Sequence, residues 1–176
     1  MADPSYGRTT TVTTETIVTS PNIRFDPSYI RTVPGILKAA QIILNLLGFI
    51  CITVSHWSVT SRAGWFNFVA MTGFWFTGIL LVLYLFHVIE KFFKIPWLKL
   101  EFGFCALWTF FYLLAASLAA GFASVDESFG AGAFFGYCAM VAYAYDAFLK
   151  FKAFKSGQLA QGEKTTTTET VSPTAY

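Results

Sequence analysis

Side chains that belong in water recur inside apolar stretches of this sequence: Lys38, Gln41, Asn45, His87, Glu101 and Asp146. Each is costly in hydrocarbon, so each needs a partner or a task. Lys38, Gln41 and Asn45 share the segment RTVPGILKAAQIILNLLGFICITV, which begins at Arg31. On a helix, positions 38, 41, 45, 48 and 52 fall within an arc of about 80°, so Lys, Gln, Asn, Gly and Ile form one stripe. A polar-plus-small stripe in a membrane span faces other helices, where its hydrogen bonds can be met. Turns counted inward from one membrane edge place Glu101, Asp146 and His87 at the depth of Lys38. One cation and two anions in a layer imply that Lys38 pairs with Asp146 or Glu101, while Gln41 and Asn45 bond neighbouring helices deeper in. Alternatively, Lys38 snorkels alone to the headgroups. An ion or proton path would need polar groups through the whole thickness, and the other halves of the spans offer Ala, Phe, Ser and Gly. His87 and Glu90, three apart, are too few ligands for a metal. No catalytic residue, metal site or cofactor is expected.

The elements that must hold these groups follow from composition. A 176-residue chain that is 55% hydrophobic, 19% aromatic and 12% charged carries more apolar surface than one small soluble core can bury. A bilayer crossing takes about 20 apolar residues. Four such stretches lie near 36–56, 65–88, 98–122 and 130–149, without the alternation of a barrel. The expected fold is all-α, an integral membrane four-helix bundle over 26–155. Thr-rich tails, 1–25 and 156–176, carry TTTVTTET and TTTTET and are expected to be disordered. No leader of basic, apolar and small-residue regions opens the chain. Arg24, Arg31, Lys38, Lys91, Lys94, Lys99, Lys150, Lys152 and Lys155 fall on one side and Arg62 alone on the other, which predicts cytoplasmic N- and C-termini.

The connections on the Arg62 side are too short for a domain. Cys51, Cys105 and Cys138 all lie in spans, where they serve as small buried hydrophobes. In DPSYIR, Asp26 suits an N-cap and Pro27 a first helical position, so a short helix would lay Tyr29, Ile30 and Val33 on the membrane surface before Pro34 opens the first span. Ala115, Ala119 and Ala123 recur every four residues at the depth of the Gly132 and Gly136 pair. These small residues suit close packing of the last two spans, or a homo-oligomer face. The C-terminal SPTAY, with Thr174 two positions before Tyr176, has the form of a ligand for a cytoplasmic PDZ scaffold.

The segments FDPSYIRTVPGILKAAQIILNLLGFICI and KFFKIPWLKLEFGFCALWTFFYLLAASLAA together resemble the MARVEL-domain proteins. The chain is most similar to the chemokine-like factor-like MARVEL transmembrane family, with the MAL and plasmolipin branch next. Asp26, Pro34-Gly35, Pro96-Trp97 and Glu101 carry the match. The resemblance implies a non-enzymatic membrane organiser acting in vesicle trafficking, membrane apposition or lateral stabilisation of other membrane proteins. Its partners would be the lipid bilayer and other transmembrane proteins, not nucleic acid, in plasma membrane or endosomal and vesicular membranes. A small ion or proton channel or transporter, and a junctional or adhesive four-span protein, are the competing readings.

Overall fold

Residues 10–18, 27–91, 96–157 and 163–171 are described in a computed structural model of the chain. Four long helices dominate it: α1 (Val33–Thr53), α2 (Ser61–Leu85), α4 (Trp97–Ala120) and α5 (Glu127–Lys155), with a four-residue helix α3 (Val88–Lys91) after α2. Each long helix is apolar and long enough to cross a membrane. Local chemistry sets where they start. The Thr32 hydroxyl accepts from the Gly35 amide at 3.3 Å, and Pro34 sits in the first turn, where a missing N–H costs nothing. Thr60 caps α2 through the Ala63 amide at 3.4 Å, so the helix begins at Ser61, ahead of the apolar run. Asp126 caps α5 through the Ser128 amide at 2.7 Å. Glu127 in its first turn and Lys152 and Lys155 in its last complement the helix dipole. The second span, expected near 65–88, ends at Leu85, and His87 lies beyond it in a left-handed turn with φ 54°.

The helices form a ring in the order α1, α2, α4, α5. Each buries one stripe, which in α1 is Gly35, Lys38, Gln41, Asn45, Gly48 and Ile52. Ile43, Trp75, Phe110, Phe134 and Val141 point outward, as a lipid-facing surface requires. The α2–α4 side closes largely through rings: Phe76 stacks on Phe104 at 3.7 Å, Trp65 meets Phe111 edge-on at 5.5 Å, and the Trp108 indole donates to the Val69 carbonyl at 3.0 Å.

At the loop end, the two short connections are tied together. Ser55 donates to Asp126 at 2.7 Å, while Trp57 and the Arg62 guanidinium both rest on the Phe122 ring, at 5.8 and 5.3 Å. At the tail end, Pro27–Arg31 forms a single 3-10 turn. Tyr29 does not lie on the membrane surface as the sequence suggested; it stacks flat on Tyr84 of α2 at 4.8 Å, while Ile30 and Val33 remain exposed. Gly35 permits this return, since a Cβ there would stand 2.1 Å from the Tyr29 carbonyl oxygen. Asp26, the expected cap, lies outside the described residues.

Within the Thr-rich tails, the described residues are two extended segments. Strand β1 (Thr10–Val18) pairs antiparallel with β2 (Glu163–Val171), with Thr11 opposite Thr170 and Thr13 opposite Thr168. Thr, Val and Ile favour extended backbone, which gives these segments a conformation that polarity alone does not disclose.

Two measurements check this architecture. A Cβ on Gly136 would meet Phe66 at 3.0 Å and Ala116 at 3.1 Å, whereas one on Gly103 meets nothing within 4 Å. Gly136→Val is expected to destabilise by about 1–3 kcal/mol in thermal denaturation and Gly103→Ala to be near neutral. At the loop end, the Ser55 hydroxyl above all holds the Asp126 carboxyl below the ordinary aspartate range. Its folded value is depressed, so this tie is intact above the unfolded value and is lost as pH falls through the lower, folded one. Protection of residues 54–60 against hydrogen exchange should therefore fall only below about pH 4, whereas in Ser55→Ala, which lacks the tie, it should already be reduced at neutral pH and show no such acid step.

Candidate functional site

A polar column runs from the tail end past the middle of the bundle. It begins where the short approach of Lys38 to Glu101 joins α1 to α4. Lys150 of α5 bonds the other Glu101 oxygen at 2.8 Å, and the Tyr84 hydroxyl donates to that same oxygen at 2.7 Å. Both ammonium groups also lie over the Tyr84 ring, Lys38 at 5.6 Å and Lys150 at 5.3 Å from its centroid. Asp146 lies 3.7 Å from the Lys38 nitrogen through Oδ2, which further accepts from Gln41 at 3.2 Å and Cys105 at 3.5 Å. Gln41 reaches on to the Ala142 carbonyl at 3.4 Å. Two cations and two anions thus meet with no net charge. Lys38, Glu101 and Asp146 are each at most 1% exposed. Of Lys38's two candidate partners, Glu101 makes the bond and Asp146 stands second.

One turn deeper, Asn45 joins three helices. Its amide donates to the Tyr143 hydroxyl at 2.9 Å, and its carbonyl oxygen accepts from Tyr112. Thr77 of α2 bonds the Tyr143 hydroxyl at 2.9 Å. Gly73 makes room for the convergence: a Cβ there would sit 2.7 Å from the Trp108 nitrogen and 3.1 Å from the Asn45 oxygen. The column then stops at Phe66. That ring lies against Gly48 and Gly136 and edge-on to Tyr112 at 6.2 Å. Ile52, Ala63, Ala119, Phe129 and Ala133 fill the bundle from there to the Ser55–Asp126 tie.

Not every expected residue takes part in the same way. His87 is buried in the turn beyond α2 instead of within the span. Ala115 and Ala119 are buried, and Ala123, past the end of α4, faces Gly130. Gly132 serves α1, where a Cβ would strike Ile52 at 2.6 Å; only Gly136 meets an α4 alanine, Ala116. Thr174 and Tyr176 lie outside the described residues. The sequence reading passed over Lys150, counted there as a loop base, and over Tyr84, Tyr112 and Tyr143. The signal was helical spacing: 143, 146 and 150 share a face of α5, as 101, 105, 108 and 112 share one of α4.

Chemically, the column is a clamp. Its ionised groups are spent on one another, and among the described residues no three His, Cys, Asp or Glu side chains group to hold a metal. Leaving an ion unpaired in such a place costs about 3–5 kcal/mol. Lys38→Met should lower thermal stability by that order in detergent, and Lys150→Met by less, since Lys38 still faces Glu101. Lys38→Met with Asp146→Asn should recover part of the loss, because the remaining Glu101–Lys150 pair is neutral.

Comparison with known proteins agrees with this architecture. The membrane-associating domain family, MARVEL, matches residues 29–149. CKLF-like MARVEL transmembrane domain-containing protein 8 of Bos taurus is 28% identical, over 89% of this chain and 98% of its own length. MARVEL domain-containing protein 1 of Xenopus laevis is 29% identical over 84% and 92%, and plasmolipin of Rattus norvegicus 27% over 76% and 78%. No solved structure matches. With four apolar helices around a polar column and the family match across most of its length, the chain is a multi-pass integral membrane protein that belongs to the MARVEL family.

Proposed function

We propose that the protein is a non-enzymatic organiser of membranes, holding lipids or partner spans against the outside of its bundle in vesicular or plasma membranes. The observation that carries this reading is that the buried charges are committed to one another, with Asp146 Oδ1 the one carboxylate oxygen of the cluster that has no hydrogen bond. Two lysines and two acids neutralise one another, and the polar column ends against Phe66 with an apolar plug beyond. What remains for interaction is the surface of the helices and the two ends. A channel or transporter would need polar groups continuing past Phe66, and the residues there are Ile52, Ala63 and Phe129. A junctional protein would act through the loop end, where the two connections are short and tied to each other. Exposed Arg31, Lys99, Lys152 and Lys155 at the tail end favour a cytoplasmic placement for both tails.

Photo-crosslinkers placed at lipid-facing Phe134 and Val141 in native membranes are expected to capture transmembrane proteins or lipid, and the same groups at buried Ala133 and Ala139 to capture nothing. Proteoliposomes carrying the protein should leak protons, sodium and potassium no faster than empty ones. A flux that Phe66→Ala increases would replace this reading with the channel.

A further inference from the structure

At the tail end, α4 and α5 carry positive charge that the buried cluster does not consume. Glu101 and Asp146, the acids of these two helices at that end, are held inside by Lys38 and Lys150. Lys99, Lys152 and Lys155 are left exposed. The contact between the helices brings two of them to one place. Phe102 of α4 meets Phe151 of α5 at 5.8 Å, and the Lys99 ammonium lies 5.1 Å from the centre of the Phe154 ring. On α5, Lys155 projects within about 40° of Phe151, whereas Lys152 projects about 100° from it, farther from α4. Lys99 and Lys155 therefore flank the outer mouth of the α4–α5 seam. α4 also begins there, on Pro96, with no side chain capping it, whereas Thr32, Thr60 and Asp126 cap the other long helices. The positive end of its dipole adds to the two ammonium groups.

Deeper in the bilayer the seam presents an apolar furrow. Ala106 and Ala144 are exposed on the faces that carry Lys99 and Phe151, and a Cβ on Gly103 would meet nothing within 4 Å. Phe148 and Phe151, 59% and 46% exposed, form its α5 wall. Positive charge at headgroup depth above such a furrow complements a molecule with an anionic head and an apolar chain. We propose that the tail-end α4–α5 seam binds an anionic phospholipid of that leaflet, with its headgroup between Lys99, Lys155 and the α4 N-terminus and an acyl chain along Ala106 and Ala144. This deepens the organiser reading by naming a lipid class and its site, and it rests on that reading's premise that lipid is held against the outside of the bundle.

The test gives full-length, delipidated protein in detergent either phosphatidylserine or phosphatidylcholine with identical acyl chains, and counts retained lipid by native mass spectrometry. Each lysine at the surface is worth about fivefold for an anionic headgroup, so phosphatidylserine is expected to bind about tenfold or more tighter. Lys99→Gln with Lys155→Gln should bring it down to the level of phosphatidylcholine. Lys152→Gln removes the same charge at the same end of α5 and should leave most of the preference. Should the double variant not fold, either single replacement is expected to lower phosphatidylserine binding about fivefold. Inorganic phosphate at the lipid's concentration should displace none of it, because it lacks the chain. Equal retention of the two lipids by the native chain overturns the site, as does displacement by phosphate or a loss that Lys152→Gln reproduces in full. Each of those results leaves the crosslinking at Phe134 and Val141 to decide the organiser reading separately.

Discussion

Four charges that cannot reach water set the terms for the rest of this structure. Lys38, Glu101, Asp146 and Lys150 sit on three helices and are neutral only as a set. Taking such groups out of water is repaid only when geometry and hydrogen bonding are nearly complete. Much of the tail end can be understood as completing them. Tyr84 donates a hydroxyl and lends a ring face to both lysines, Gln41 and Cys105 supply donors to Asp146, and Tyr29 covers Tyr84. Because the partners come from different helices, the cluster also selects one rotation and one depth for α1, α4 and α5. Apolar packing in lipid selects these weakly, as lipid tails are as apolar as the side chains they replace.

The rest of the bundle uses two further devices. In the middle, Asn45 bonds hydroxyls from α4 and α5, and Thr77 brings in α2 through Tyr143, so every long helix contributes to one polar knot. At the loop end, contact replaces bonding, and Gly132 and Gly136 give up side chains so that Ile52 and Phe66 can fit. Hydrogen bonding thus gives way along the bundle axis to apolar contact, in which Ile52, Phe66 and Phe129 are buried against glycines and alanines. Among the described residues, the polar column stops where that apolar packing begins, at Phe66.

Membership of the MARVEL family accords with a protein whose interior is structural. Relatives that share only a quarter to a third of their residues with it can retain a bundle of this kind while the lipid-facing surface varies, since that surface has only to remain apolar. The outward face and the tails are then where members of the family are free to differ.

Much of this was legible without coordinates, and the reason is periodicity. The number of spans followed from runs of about 20 apolar residues, and the inward stripe of α1 followed from 3.6-residue spacing, since both are properties of one helix alone. Charge asymmetry likewise needs only the order of residues. What spacing within one helix does not contain is how two helices are set against each other. Lys150 read as a loop base because its own neighbours are basic; only the placement of α5 beside Glu101 makes it a buried ion. Tyr29 read as a surface residue because nothing local reports that the chain doubles back over Gly35 to reach Tyr84. Gly132 lies at the depth of the α4 alanines, yet the ring order gives it Ile52 of α1. Depth and facing angle were thus determined by the sequence, because they are set along a single axis. Choice of partner was decided by the tertiary structure, because it depends on the relative rotation and order of four axes, which the buried charges and the glycine contacts fix together.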